Sequence, residues 1–479
     1  MSTGTLGPYA EGLDFLDCPG YSEGLDLVLR NQNCVAKAGV DRRQRHGQSR
    51  AQSPDVPSYT SHCLHNPLAD QEHEQALCFF LSSWVDYTSD PSAERGILEV
   101  LPSLYPNTTI GSPLWLSVAA FTRLQFNKFE RGVSRGESLT IKQLYGLALA
   151  ATSRALQDPV ELLTDETLMA VCLLGYYEAA VESFKARISS PRHFNGAAAL
   201  IRRRQGMLTT RSGQRMLTGV RSNLVHRAVQ SASPIDVSED IWANSAVLMN
   251  TPAIILDRIL VDVANLLALA RQHLPPGSAI ATPKDPHNAR QSSSLLPEAE
   301  VLERRLMSWA KALPSHWSPA KVSIDQVPAS VTSAGFYGKS CDIYQDIMTC
   351  ATWNDWRTAR LKVLAIIASH KPGPERATVS TKIQEIADDI CASIPFSLGS
   401  RTTPAPLHDT KNISYPTLPG TAETPEVHYR TAAAYGGWYL FPPMKQVMAV
   451  GAYLREGQML WMALQLRRLA SVYNICPED

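Results

Sequence analysis

The sequence has no hydrophobic run fit to cross a bilayer, no net charge, no cysteine framework and no glycine-rich phosphate loop. Each absence removes a class of function. The most apolar stretches of the 479 residues are 168–181 and 253–270. The first is shorter than the ~20 residues a membrane helix needs. The second holds Asp257, Arg258 and Asp262, each costly at a bilayer centre. Both read as buried helices, and no membrane partner is expected. Lysine plus arginine total 45 and aspartate plus glutamate total 45, which argues against a protein that coats nucleic acid through bulk charge. Nine irregularly spaced cysteines do not make a disulfide framework. Cys172 and Cys391 sit among apolar neighbours and read as small core hydrophobes. This usage favours a reducing compartment, nucleus or cytosol. Residues 1–15 carry Gly, Asp and Glu where a secretory signal has a basic start and an apolar stretch. No G-x-G-x-x-G or H-E-x-x-H pattern occurs, so no catalytic, cofactor-binding or metal-ligating residue is assigned and no cofactor is expected.

What is present is core-forming material with a helical period. The chain is 44% hydrophobic, enough for a large core. Ala76, Phe79, Phe80, Ser83 and Trp84 share one face at 3–4 spacing. Apolar segments follow at 96–105, 113–129 and 140–156. The clearest helix is Asp165–Ala186, with Thr164 as cap, Asp165 and Glu166 where the helix dipole favours acids, and a stripe of Leu168, Val171, Cys172 and Gly175. Thr251-Pro252 opens another, in which Leu256, Leu260, Val263, Leu267 and Ala270 step by 4, 3, 4, 3. Further helices are expected at 298–313, 343–370, 381–394, 429–453 and 457–472. Pro- and Ser-rich residues 275–296 and 398–426 read as two long loops. No strand alternation or fixed repeat appears. The fold class is all-α, a multi-helix array, with a tail or linker at 1–67 and one helical domain at 68–479.

Four groups are weighed as chemistry. Gly20-Tyr21-Ser22-Glu23-Gly24 matches a nucleophile-elbow pattern but lacks the strand–turn–helix setting that pattern needs, and reads as coincidence. His62, Cys63, His65, His73 and Cys78 are the densest run of zinc-ligand types. Their spacing is poor for a structural site, and Cys78 is placed on an apolar helix face. Arg202, Arg203 and Arg204 close a helix that begins near Pro191 and read as a solvated, dipole-complementing end rather than a phosphate or acidic-partner contact. The cluster Arg42, Arg43, Arg45, His46 and Arg50 is a nuclear-import signal, a phosphate-contacting arm or a solvated linker.

Two stretches carry a resemblance. Cys18-Pro19-Gly20-Tyr21, followed by Leu25–Gln32 and Ala36-Lys37, looks like the segment after the DNA-binding module of fungal binuclear zinc-cluster transcription factors. Asp165–Val171, Leu173-Leu174-Gly175-Tyr176-Tyr177-Glu178, His193, Gly196–Ile201 and Arg204-Gln205-Gly206 resemble the hallmark of the fungal-specific transcription factor domain, the all-helical regulatory region of those proteins. Ser112–Ala120, Leu144-Tyr145-Gly146 and Ala434-Tyr435-Gly436-Gly437-Trp438 look similar to other blocks of it. The resemblance spans roughly residues 18–475.

Cys18 matches the family's last zinc ligand, and residues 1–17 contain no cysteine, histidine, lysine or arginine. A lone cysteine holds no zinc, since a structural site takes four ligands. The resemblance therefore implies the regulatory part of a zinc-cluster regulator without its DNA-reading module, through truncation or loss. It implies a nuclear protein, with cytoplasm as the alternative. Such a protein acts through a protein partner or homodimer and a small-molecule effector in control of metabolic genes, secondary metabolism among them. It does not bind DNA sequence-specifically by itself. The rival reading is an enzyme on the same scaffold, with an interhelical small-molecule pocket in a fungal biosynthetic pathway.

Overall fold

A computed structural model of the chain describes residues 67–85, 97–129, 139–182, 192–204, 210–236, 242, 251–272, 295–404, 412–417 and 424–473. The chain divides into two units, Met1–Cys63 and Leu64–Asp479, and every described residue lies in the second. Helices dominate, as the apolar periodicity predicts. In chain order they are α1 (Pro67–Trp84), α2 (Leu101–Leu104), α3 (Pro113–Phe129), α4 (Leu139–Ala155), α5 (Asp165–Glu182), α6 (Arg192–Arg203), α7 (Arg211–Ser231), α8 (Pro252–Gln272) and α9 (Leu295–Lys311). Then come α10 (Ala329–Gly335), α11 (Ile347–His370), α12 (Gly373–Leu398), α13 (Pro425–Thr431), α14 (Gly437–Ala449) and α15 (Gln458–Val472).

The caps follow the sequence logic. Thr167 N donates to Thr164 Oγ1 at 3.2 Å, and Ile254 N to Thr251 Oγ1 at 3.4 Å, so both expected cap residues act as caps. The helix expected from 343 starts at Ile347 instead, because Asp346 caps it through Thr349 N at 2.6 Å. The preceding residues form a small ribbon: β1 (Ala320–Ser323) pairs antiparallel with β2 (Ser340–Ile343). Four-residue strands are too short to show alternation in sequence, and the all-α class stands.

α5 packs between α3 and α6, α6 leads to α7, and α7 lies along α8. α8 and α9 both contact α11, which also packs on α12 and α14. Twenty of the 24 residues of α11 are buried. Three tryptophans cluster where α9 meets α11. Each gives its indole N–H to a backbone carbonyl: Trp309 to Pro252 at 2.8 Å, Trp353 to Trp317 at 2.8 Å and Trp356 to Leu306 at 2.7 Å. Large aromatic area is thus buried without an orphaned donor.

The stretch 398–426 is not simply an exposed loop. Ile413, Tyr415 and Arg401 are buried. Ser400 N donates to the Ser414 carbonyl at 2.8 Å, and Tyr415 stacks on Tyr429 with centroids 5.4 Å apart. Among the described residues of this stretch, Ile413 and Tyr415 bury apolar surface in the core.

The helix expected over 429–453 is interrupted. Ala432–Gly436 form one turn of π-helix between α13 and α14. A π turn leaves backbone groups out of register, and Tyr473 at the end of α15 satisfies them. Gly437 N donates to the Tyr473 hydroxyl at 2.9 Å, and that hydroxyl donates to the Ala432 carbonyl at 2.9 Å. A Cβ at Gly437 would sit 2.1 Å from Tyr473 Cε2, and one at Gly436 2.9 Å from the Ser397 carbonyl oxygen. The two glycines let three segments meet backbone to ring.

Tyr473→Phe should cost ~1–3 kcal/mol, since it removes the buried hydroxyl that bridges Gly437 N–H and the Ala432 carbonyl. Gly437→Ala should destabilise through overpacking, while Gly373→Ala, which meets nothing within 4 Å, should be neutral. Urea unfolding midpoints of the three variants check the ordering.

Candidate functional site

The residues quoted for the resemblance meet as one locked helix pair. Leu168, Val171 and Cys172 are fully buried, as the stripe predicts, and so are Met169 and Ala170, so α5 is enclosed on nearly all faces. Gly175 is where α6 comes close: a Cβ there would lie 3.0 Å from Phe194 Cε2 and 3.1 Å from His193 Cβ. Glu178, one turn further on, accepts from His193 Nε2 at 2.9 Å and from the Tyr145 hydroxyl of α4 at 2.6 Å. Tyr145 stacks on Tyr177 with ring centroids 4.3 Å apart. Burial alone would raise the Glu178 carboxyl, but the hydrogen bond and charge of His193, joined by the Tyr145 bond, hold it below its ordinary value.

At the other end of the pair, Arg204 reaches back to the Asp165 carboxylate at the start of α5. This corrects the solvated-end reading for Arg204, which is buried, whereas Arg203 is exposed. A guanidinium one residue past α6 closes onto the positive end of α5 by pairing with its first-turn acid.

The other sequence candidates do not converge. Cys18, Gly20–Gly24, the 42–50 cluster, His62, Cys63 and His65 lie outside the described residues. His73 Nε2 shares a hydrogen bond with the Tyr105 hydroxyl at 2.6 Å. Cys78 is exposed, not on the apolar face of α1, because that face is taken by Ala76 and Phe80. Among the described residues no three potential metal ligands gather. Cys172 and Cys391 are buried core residues, as expected, and burial pushes both thiols up.

Two polar constellations went unread in the sequence. The first is a sealed knot in α11. Arg357 bonds to Tyr344 at 2.6 Å, Asn354 at 3.0 Å and Asp342 at 3.1 Å, and Asn354 continues to Ser393 at 3.1 Å. All five are buried, so the cluster holds β2, α11 and α12 together rather than meeting a ligand.

The second constellation lines a cavity of about 210 Å³ between α7 and α8. Thr218 and Arg221 come from α7, Ile254, Asp257, Arg258, Val261 and Asp262 from α8, and Trp242 from between them. Arg221 lies over the Trp242 ring, 4.9 Å from its centroid. It is 8% exposed, and its Nη1 has no hydrogen-bond partner among the described residues. Burial, with Arg258 nearby, pulls this guanidinium down to about 10 although Asp257 pulls the other way. Asp262 is held by Arg305 at 2.6 Å, and Asp257 by His226 at 3.3 Å. Asp257, Arg258 and Asp262, which in the sequence only argue against a membrane helix, form this wall.

Leu168→Ala should cost ~2–5 kcal/mol. Gly175→Leu should also destabilise by forcing Phe194 away, whereas Arg203→Ala should stay within ~0.5 kcal/mol. Thermal unfolding measures all three. Because the folded carboxyl of Glu178 is depressed, its contribution is complete above the unfolded value near ~4.3 and disappears as pH falls through the folded value. The stability gap between the parent and Glu178→Gln should therefore be widest near neutral pH and shrink under acid, as read by urea unfolding across the pH range.

Comparison with known proteins bears on the same segment. Residues 100–232, which run from α2 through α7, match the family model of the fungal specific transcription factor domain. Transcription factor dbaG of Emericella nidulans is 25% identical over 264 residues, covering 53% of this chain and 58% of that protein. The chain thus spans a little over half the length of that curated relative. No solved structure matches the chain. The helix pair locked by Gly175, Glu178–His193 and Asp165–Arg204 lies inside the segment that is similar to the fungal specific transcription factor domain.

Proposed function

We propose that the chain is a fungal transcription regulator whose helical body, residues 68–479, works through an effector or a protein partner to control metabolic genes, secondary metabolism among them. The observation that carries this reading is the match of residues 100–232 to the fungal specific transcription factor domain, and the likeness to a protein named as a transcription factor supports it. The intact helix pair inside that segment supports it too. The equal totals of 45 basic and 45 acidic residues support action through a DNA-bound partner, because non-specific DNA affinity comes mainly from cationic contacts to phosphate. A regulator that meets DNA through such a partner works in the nucleus. No helix among the described residues is long and apolar enough to cross a membrane.

The rival reading, an enzyme on this scaffold, needs an activated nucleophile or an acid–base pair beside a pocket. Among the described residues, the hydroxyl that lines the α7–α8 cavity belongs to Thr218 and is donated to the Gln214 carbonyl at 2.9 Å. That counts against nucleophilic chemistry at this cavity, and the Asp257–His226 pair, whose carboxylate lines its wall, is what an acid–base reading would use.

A fluorescently tagged full chain should concentrate in fungal nuclei, and deleting its gene should change transcript levels of a group of metabolic genes. The purified chain should give no promoter-specific gel shift at physiological salt. Cytosolic signal with unchanged transcripts would overturn the regulatory reading. A nanomolar promoter-specific complex would overturn the need for a DNA-bound partner.

A further inference from the structure

The α7–α8 cavity has the features of a built binding site, and the geometry points to a small monocarboxylate with an apolar body, aromatic or branched, as its ligand. The argument starts from Arg221. This guanidinium is more than nine-tenths buried, lines the cavity, and donates no hydrogen bond to any described residue. A buried cationic donor without an acceptor is costly, so native structures pair nearly all of them. The missing acceptor belongs in the cavity, where a carboxylate oxygen makes a charge-assisted bond stronger than the one water would supply.

The rest of the wall narrows the class. Arg221 Cζ lies over the Trp242 ring, 4.9 Å from its centroid, and that cation–π contact holds the guanidinium at the cavity wall. Ile254 and Val261 give the lining an apolar side, so the body of the ligand is apolar. Arg221 and Arg258 are balanced by Asp257 and Asp262 in the same lining, so the wall carries no surplus positive charge for a phosphate dianion. Both carboxylates are already engaged, by His226 at 3.3 Å and Arg305 at 2.6 Å, so neither calls for a ligand cation. The volume of about 210 Å³ is below the ~300–1,000 Å³ of drug-sized pockets and sets a small ligand.

The position adds a consequence. One wall, with Thr218 and Arg221, belongs to the segment matched as a transcription factor domain, while Ile254, Asp257, Arg258, Val261 and Asp262 lie beyond its end. A ligand bridging the two walls ties that domain to α8, and through α8 to α11. Calling the ligand an effector rests on the regulatory reading; its binding does not.

The test is calorimetric titration of the purified full chain with benzoate, benzamide and phenyl phosphate, alongside tryptophan fluorescence. Benzoate should bind saturably and quench fluorescence, with benzamide and phenyl phosphate each at least about tenfold weaker. Arg221→Gln should lower benzoate affinity by about tenfold or more while far-ultraviolet circular dichroism stays unchanged. Val261→Phe, which keeps the guanidinium and fills the cavity, should also abolish binding, and it serves if Arg221→Gln does not fold. No saturable benzoate binding, equal affinity for benzamide, tighter binding of phenyl phosphate, or benzoate affinity unchanged in a folded variant would each overturn the assignment. These readings come from the purified chain, whereas the regulatory reading is tested in cells, so the failure of one is not mistaken for the failure of the other.

Discussion

A helix with no solvent face has to satisfy its polar side chains inside the protein, and α11 is such a helix. Its neighbours α8, α9, α12 and α14 enclose it, so Arg357, Arg360 and Asn354 have no water to turn to. Arg357 is answered by Asp342 and Tyr344 from the ribbon segment, and Arg360 by Glu303 of α9 in a two-pronged pair beneath Trp356. Removing one partner of such a pair leaves an uncompensated buried charge, which costs more than the pair contributes. The two arginines thus set the positions of α9 and of the short β2 strand relative to the central helix. The ribbon is tied to this helical body by Asp342 as well as by the buried Cys341 and Ile343 of β2.

Much of this architecture was legible in the sequence. The stripe Leu168, Val171, Cys172 and Gly175 predicted a buried helix with a close neighbour, and α6 lies against it at Gly175. The 4, 3, 4, 3 stepping of Leu256 to Ala270 predicted α8, all of whose stripe residues are buried. These signals survive because they rest on periodicity and on one glycine, both local properties. What was missed was either diluted or non-local. Helix α7 was not expected, because Gly213, Gly219, Ser222 and Asn223 interrupt its apolar face of Met216, Leu217, Val220 and Val225. Gly219 is there for Ile97, whose Cβ would lie 2.9 Å from a Cβ at that position. No sequence rule links two residues that far apart.

The candidate cavity shows the same limit more sharply. Arg221 and Asp257 read singly as ordinary charges on helices, and it takes the packing of α7 on α8 to turn them into facing walls. The Glu178–His193 pair was within the quoted resemblance, yet its chemistry was invisible because fifteen residues separate the partners. Arg204 looked like one of three equivalent surface cations. Only the antiparallel return of α6 along α5 singles it out and brings it to Asp165. Charge in a sequence reports how many ions there are, and the fold decides which of them lose their water.

The π turn at Ala432–Gly436 carries a consequence for chain length itself. A π turn holds one residue more than the α turn it replaces. Loss of any one of Ala432, Ala433 or Ala434 would let the backbone close into regular helix from α13 into α14, with every local hydrogen bond intact. The wider turn takes up its extra residue within the same sweep, so the residues that follow would keep their facing. Leu440, Met444 and Val447 would stay on the buried face, and the loss would fall on the Tyr473 bridge between Gly437 N–H and the Ala432 carbonyl. Substitution among these small alanines and deletion of one are thus very different events. A larger side chain at any of the three, all fully buried, would overpack the core, whereas losing one would leave the faces of α14 in place and cost the bridge through Tyr473.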